Sequence, residues 1–200
     1  MNAGVVRERY SAAAREAGPD VTVVAATKYV SLEEMAVLAE AGVEVVGENR
    51  AQDLLAKHAV YGDIFRWHFI GHLQSNKAKT VDRICELVHA VDGDSTARRL
   101  TVPWLLEVNL SGEPTKAGVP PAAVASWVAR YPGLRGLMTM PPLTADPEES
   151  RPVFRALRAL ADEHGLALVS AGTSQDWRVA VQEGATHVRI GAALYAEDPG

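Results

Sequence analysis

The chain has 200 residues, of which 48% are hydrophobic and 22% charged, and its formal net charge is −5. This composition predicts one globular domain and excludes the disordered, collagen-like and membrane-spanning classes of protein. The excess of acidic groups argues against a positively charged surface that would bind a nucleic acid or an anionic membrane. A single cysteine, Cys85, permits no internal disulfide. Because the first residues also lack the pattern of a signal peptide, we expect a cytoplasmic protein.

Short apolar runs alternate with stretches of helical period along the whole chain. The first candidate helix spans about residues 5–17, and the first candidate strand spans residues 21–26. The other candidate strands, rich in β-branched residues and bounded by turn residues, are 43–46, 67–70, 87–91, 104–109, 134–138, 166–170 and 187–190. The other candidate helices lie at about 32–41, 50–58, 75–84, 95–100, 120–131, 148–163 and 175–183.

Local signals mark several helix ends. Ser31 and Glu34 have the spacing of a capping box, and Gly42 stands where a left-handed cap would end the same helix. Pro120 and Pro121 begin the helix predicted near residue 120, at positions where proline is tolerated.

The strict alternation of strand and helix predicts parallel strands, because each helix returns the chain to the same edge of the sheet. Eight such units most simply close into a (β/α)₈ barrel. We therefore predict a single α/β TIM-barrel domain over residues 1–200, in which the leading helix covers the place of a missing final one. A doubly wound open sheet is the structural alternative.

In a barrel the chemistry gathers at the carboxyl ends of the strands. The polar residues that follow the predicted strands are Lys28, Glu48, Asn49, His72, Asp92, Asn109, Thr139, Ser170, Thr173, Ser174 and Arg189. The sequence contains no G-x-S-x-G, H-E-x-x-H or P-loop motif. These residues also suggest no metal-like cluster of histidine and carboxylate, so we predict no metal site.

Two features at the strand ends combine into a mechanism. Lys28 follows an apolar run and Thr27, so its side chain would cross the barrel mouth, where a lysine amine can form a Schiff base with an aldehyde. A lysine that snorkels at the rim is the alternative. The loops at residues 171–174 and 190–193 consist of small residues, which let backbone N–H groups approach an anion, although tight turns also require glycine. This corner is the usual phosphate site of such barrels.

Closure of the barrel makes strand eight the neighbour of strand one, about 4.8 Å away. A phosphate at the last two loops would then place the aldehyde of a short ring within reach of Lys28, an arrangement that suits pyridoxal 5′-phosphate. Arg189 would point at the ring nitrogen. Because an arginine stays protonated and donates, that nitrogen would stay unprotonated and the ring would be a weakened electron sink.

Six motifs in chain order resemble those of the pyridoxal phosphate homeostasis protein family. They are VAATK at 24–28, GENRAQD at 47–53, WHFIGHLQSNK at 67–77, VNLSGEPTKAG at 108–118, GLMTM at 136–140 and HVRIG at 187–191. The resemblance covers about residues 20–195. It implies a fold-type III barrel like that of alanine racemase, without the C-terminal β-domain. It also implies a protein that buffers pyridoxal phosphate or delivers it to acceptor enzymes, with no reaction of its own.

The resemblance further implies roles for particular residues. Lys28 matches the lysine that holds the cofactor covalently as a Schiff base, and Arg189 matches the partner of the pyridine nitrogen. Phosphate-loop positions are matched by Ser174, Gly191 and Ala192, and ring-lining positions by Asn49 and Met138. The family's loop after strand seven usually reads S-M-G-M-S, and here Ala171 and Thr173 replace its two methionines.

Two enzymatic alternatives stay open. An amino-acid racemase or decarboxylase of this barrel type would use a second domain, which we expect to be absent because the sequence ends nine residues after Gly191. A Schiff-base aldolase or phosphosugar isomerase would need a carboxylate base, for which Glu48 is the candidate. His72 has no carboxylate partner within its motif, and we expect it to pack in its loop; His68 is predicted to be a core histidine. We expect a monomer.

Overall fold

The structure is a computed structural model that describes residues 1–113 and 115–195. Eight parallel strands form a closed barrel in chain order. They are β1 (Thr22–Ala26), β2 (Val45–Glu48), β3 (Arg66–Phe69), β4 (Leu87–Val91), β5 (Trp104–Glu107), β6 (Leu134–Met138), β7 (Leu168–Ser170) and β8 (His187–Ile190). β8 pairs with β1, so that Val24 lies opposite Arg189. This pairing confirms the predicted barrel and excludes the open sheet.

Helices connect the strands on the outside of the barrel. Those in the described part of the chain are α1 (Ala3–Ala17), α2 (Met35–Ala41), α3 (Ala51–Tyr61), α4 (Ala78–Asp82), α5 (Asp94–Ala97), α6 (Val124–Arg130), α7 (Arg151–Glu163), α8 (Trp177–Gln182) and α9 (Ala192–Tyr195). Short 3₁₀ turns occur at Gly62–Ile64, Pro121–Ala123 and Pro147–Ser150. None of the helices that the structure describes is both long and apolar enough to cross a membrane.

The predicted helix caps are present. The Ser31 backbone N–H donates to Glu34 Oε2 at 2.9 Å, and the Glu34 N–H donates to Ser31 Oγ at 3.2 Å, which is a complete capping box. Gly42 ends α2 in the left-handed conformation with φ 78°. Pro121 begins the 3₁₀ turn that leads into α6. The end of α2 at Ala41 is as predicted, whereas α2 begins at Met35 rather than at residue 32 and α6 begins at Val124 rather than at residue 120.

The leading helix α1 covers the seam where the barrel closes. It packs against β1, α2 and α9 and buries Val6, Ala13 and Ala17. An ion pair from Arg178 Nε on α8 to Glu16 Oε1 on α1, at 2.5 Å, joins α1 to the other side of the seam. α1 thus packs at the seam as predicted, together with the short helix α9 that follows β8.

Several boundaries differ from the predictions. β5 ends at Glu107 rather than at residue 109; Val108 forms an isolated bridge with Val119, while its N–H still donates to the Met138 carbonyl at 2.8 Å. The helix predicted at 95–100 is the four-residue α5. The four-residue α9, directly after Gly191, was not predicted, since so short a segment carries no periodic signal.

Candidate functional site

A cavity of about 780 Å³ opens at the carboxyl ends of β1 and β8. Six of the seven predicted site residues line its wall: Lys28, Asn49, Ser174, Arg189, Gly191 and Ala192. These residues come from loops that are far apart in the sequence and converge because the barrel closes. The structure thus brings together the lysine, the arginine and the small-residue loops as predicted.

Met138, the seventh predicted residue, does not line this cavity. Its side chain is buried at 2% exposure, in a small cluster with Leu105 inside the barrel. Met140 lines the cavity instead and is half-exposed. Met140 lies two residues after the end of β6, in the loop at the mouth of the barrel. The ring-lining role of Met138 stays a prediction, and Met140 is a methionine that the cavity wall contains.

Lys28 lies at the exposed rim of the cavity, directly after the buried Thr27. Its Nζ stands 4.9 Å from the centroid of the Tyr29 ring, a cation–π contact. The exposure of its side chain agrees with the alternative of a lysine at the rim rather than with a side chain that crosses the mouth. The amine is accessible from solvent and faces the cavity.

A buried ion pair fixes the backbone from which Lys28 projects. Lys57 Nζ on α3 donates to Glu48 Oε1 at 2.5 Å and to the Thr27 carbonyl at 2.9 Å. Thr27 Oγ1 donates to the same Glu48 oxygen at 2.6 Å. The Glu48 side chain is fully buried and engaged by these partners, so it does not present the free base that a phosphosugar isomerase would need.

Arg189 lies at the bottom of the cavity, on β8, and is 5% exposed. Its Nη2 donates to the Thr139 carbonyl at 3.2 Å and to Met140 Sδ at 2.9 Å, and its Nη1 donates to Ser170 Oγ. Burial lowers the pKa of the guanidinium to about 10, while Glu107 and Asp176 act in the opposite direction. Arg189 is therefore a fixed, protonated donor at neutral pH.

The loops after β7 and β8 meet at the other end of the cavity. Ser174 Oγ accepts hydrogen bonds from the backbone N–H groups of Gly191 at 3.1 Å and Ala193 at 3.3 Å. Its own hydroxyl hydrogen is left to donate to a bound anion. A Cβ on Gly191 would lie 3.4 Å from Ala26 Cβ, so the small residue keeps this corner open.

Ala171 and Thr173, which replace the two methionines usual in the family's loop after β7, lie in different environments. Ala171 is fully buried in the core and does not line the cavity. Thr173 does line it, and its backbone N–H donates to Asp176 Oδ1 at 2.8 Å, just before α8. Between them Gly172 has φ 88°, and a Cβ there would lie 2.7 Å from Trp177 Cα, so the turn requires glycine.

Below Arg189, three histidines fill the barrel interior. His68 Nδ1 lies 3.0 Å from His89 Nε2, and His89 Nδ1 lies 2.8 Å from Ser170 Oγ. The ring of His187 is 5.8 Å from that of His68. Burial lowers the pKa of His68 to about 3 and that of His187 to about 4. His68 is thus the core histidine that was predicted.

His72 is at the mouth rather than packed within its loop. Its Nδ1 lies 3.5 Å from Asp92 Oδ1, so a carboxylate partner exists after β4, although the motif of His72 contains none. Both side chains lie near the buried Glu107. This grouping contradicts the expectation that no histidine–carboxylate cluster forms at the strand ends.

Comparisons with known proteins decide the family. The chain is 38% identical to the pyridoxal phosphate homeostasis protein of Aquifex aeolicus, over 96% of this chain and 95% of that protein. It is also 38% identical to the Pseudomonas aeruginosa protein of the same name, over 97% and 93% of the two chains. The chain belongs to the pyridoxal phosphate homeostasis protein family. No family model matches the sequence.

Solved structures agree with membership of the pyridoxal phosphate homeostasis protein family. PipY of Synechococcus elongatus, solved with pyridoxal phosphate bound, has a TM-score of 0.86 and 31% identity, and the match covers 96% of this chain and 100% of PipY. Alanine racemase of Corynebacterium glutamicum has a TM-score of 0.73 at 19% identity, covering 100% of this chain and 62% of that one. The racemase shows a common barrel fold only.

Sequence reasoning missed two residues that shape this site. They are Met140 and Lys57, neither of which the sequence analysis singles out. Lys57 follows Ala51 and Leu54 at three-residue intervals on the buried face of α3, a helical spacing that could have revealed it.

Proposed function

We propose that this chain binds pyridoxal 5′-phosphate in the 780 Å³ cavity and serves as a carrier that buffers the cofactor or delivers it to acceptor enzymes. The observation that carries the proposal is that Lys28, Arg189 and Ser174 line one cavity. A lysine, a buried cation and a hydroxyl at an N–H-rich loop are the groups that an aldehyde, a pyridine nitrogen and a phosphate require.

The donor set in the cavity fits the cofactor. When bound, pyridoxal 5′-phosphate supplies an aldehyde that condenses with a lysine amine, with loss of one water, to give a Schiff base. Lys28 is the residue assigned to that linkage. Ser174, Gly191 and Ala192 would hold the phosphate, Arg189 would donate to the ring nitrogen, and Asn49 and Met140 would contact the ring.

Arg189 supports a carrier rather than an enzyme. Its guanidinium is held by Ser170 and the Thr139 carbonyl and remains protonated, so it would donate to the ring nitrogen and could not accept from it. An unprotonated pyridine nitrogen withdraws few electrons, which disfavours racemisation and decarboxylation. The exposed Lys28 leaves the linkage accessible to an acceptor. The relatives from Aquifex aeolicus and Pseudomonas aeruginosa are named for homeostasis and not for a reaction.

An absorption titration tests binding. Addition of pyridoxal 5′-phosphate to the full chain is expected to produce a visible Schiff-base band that saturates at one equivalent. Lys28→Ala should abolish the band, whereas Lys79→Ala, which removes an exposed lysine of α4, should leave it unchanged. A band that survives in Lys28→Ala would overturn the assignment.

A transfer assay tests the carrier role. The loaded protein is mixed with the apo-form of a pyridoxal-phosphate-dependent enzyme, in the presence of a phosphatase that destroys free cofactor. Reactivation of the enzyme under these conditions is expected. Equal loss of activity with loaded protein and with free cofactor would contradict delivery, and turnover of an amino acid by the loaded chain itself would favour the racemase-like alternative.

A further inference from the structure

A second group of side chains meets at the barrel mouth, at the ends of β3, β4 and β5. His72, Asp92 and Glu107 each present a ligand atom within 4.8 Å of those of the other two. None of the three lines the cavity that contains Lys28. His72 instead lines a neighbouring cavity of about 300 Å³, together with Asn49 and Lys77. The group is therefore adjacent to the proposed cofactor site and distinct from it.

Glu107 makes this group unusual. It is 7% exposed, and in residues 1–113 and 115–195 no hydrogen bond or ion pair within 4 Å reaches its carboxylate. A carboxylate on so deeply buried a residue, with no cationic side chain of the described residues in contact with it, favours a bound cation. Glu48, the other buried glutamate of the barrel, has Lys57 as its partner.

We propose that His72, Asp92 and Glu107 bind one divalent transition-metal cation, with Zn²⁺ or Co²⁺ as the best match. One imidazole nitrogen and two carboxylate oxygens are a ligand set that these ions accept. The two carboxylates would neutralise the ion, and the cation would supply the partner that Glu107 lacks. The site requires no residue of the proposed cofactor cavity.

The geometry needs only a small adjustment. Ligand bonds of about 2.0–2.1 Å place the ligand atoms of a tetrahedral zinc about 3.3 Å apart. His72 Nδ1 and Asp92 Oδ1 are already 3.5 Å apart. The His72 side chain is 60% exposed and can move toward the buried Glu107 without disturbing the core. Three protein ligands leave at least one position of the metal open to water or a small ligand.

A cobalt titration tests the site directly. The full chain is first freed of pyridoxal phosphate with hydroxylamine, because the phosphate of the cofactor can itself bind cations. We expect one Co²⁺ per chain, with visible absorption of a low-coordinate site, and displacement by one equivalent of Zn²⁺. His72→Gln and Glu107→Gln should each weaken Co²⁺ binding more than about 100-fold, since loss of even an outer partner of a metal ligand costs about 10–100-fold.

Matched control variants distinguish loss of the metal site from unspecific effects of substitution. His164→Gln and Glu149→Gln replace one histidine and one carboxylate outside the group, and should bind Co²⁺ like the unmodified chain. Lys28→Ala should also bind Co²⁺ normally, so failure of the metal site and failure of the cofactor site are distinguishable. His72→Gln alters an exposed residue and is expected to fold even if Glu107→Gln does not. Absence of Co²⁺ binding, or binding that His72→Gln leaves unchanged, would overturn the proposal.

Discussion

Lys57 Nζ lies 2.5 Å from Glu48 Oε1 inside the barrel wall, directly behind the residue that precedes Lys28. Both side chains are buried, and Thr27 is hydrogen-bonded to each of them. The pair links α3 to the ends of β1 and β2. It therefore fixes the point from which the proposed cofactor lysine projects.

Lys57→Met is expected to be strongly destabilising, because it leaves the Glu48 carboxylate buried without its cation. Removal of one partner of a buried pair typically costs about 3–5 kcal/mol in the free energy of unfolding. Urea unfolding measures the loss. The double variant Lys57→Met with Glu48→Gln should recover part of it, while Lys79→Met on the exposed face of α4 should change stability by less than about 0.5 kcal/mol. Equal stability of Lys57→Met and Lys79→Met would refute the structural role of the pair.

Because several histidines are buried, we expect the free energy of unfolding to fall in mild acid. Their ordinary pKa is 6.5, and in the folded chain it is about 3 for His68 and about 4 for His187. Below pH 6.5 the unfolded chain takes up protons that the folded chain refuses, so stability present above pH 6.5 is lost as the pH falls toward 4. Each such histidine contributes a slope of up to about 1.4 kcal/mol per pH unit in this range.

Urea unfolding at several pH values from about 4.5 to about 7 measures this slope. The expected slope is on the order of one proton taken up per buried histidine on unfolding. His187→Gln should flatten the dependence, because it removes one of the groups that titrate only in the unfolded chain. An unchanged slope in His187→Gln would show that other groups are responsible.

Variants of Met138 and Met140 distinguish a role in core packing from a role in contact with the cofactor. Met138→Ala removes a buried side chain and is expected to cost about 2–5 kcal/mol in the free energy of unfolding. Met140→Ala alters a half-exposed residue of the cavity wall, so it should change stability little and weaken pyridoxal phosphate binding. Thermal unfolding and the absorption titration measure the two effects. The reverse pattern would support the ring-lining role predicted for Met138.

The fold could be predicted because its signals are local and repeated. Each strand or helix is marked by signals a few residues long, such as the Ser31–Glu34 capping box and the cap at Gly42. Because the alternation of strand and helix occurs eight times, a closed barrel is the simplest arrangement of the sheet. Lys28 and Arg189 were predictable as site residues because position after or within a barrel strand decides where a side chain points.

The rest depends on contacts between distant parts of the chain. The pairing of His72 with Asp92 joins two strand ends that no motif connects, and the Lys57–Glu48 pair requires α3 to pack onto β2. Met138 ends β6 in the core and Met140 follows in the exposed loop, so their burial depends on where the strand ends. These relationships arise from tertiary packing, and the helical spacing of Lys57 on the buried face of α3 does not reveal its partner.

Ser174→Ala tests the phosphate corner. Loss of one hydrogen bond to a charged group costs about 1.5–3 kcal/mol, which corresponds to about 10–150-fold weaker binding of pyridoxal 5′-phosphate. Pyridoxal, which lacks the phosphate, provides the matched comparison and should bind the variant and the unmodified chain alike. Equal weakening of both ligands would indicate that Ser174 shapes the loop, through its contacts with Gly191 and Ala193, and does not contact phosphate.

Borohydride reduction of the loaded full chain, followed by peptide mass mapping, tests the central claim most directly. The account predicts one reduced pyridoxyl adduct per chain, on Lys28. Adducts spread over Lys77, Lys79 and Lys116, or an adduct on Lys57, would contradict it.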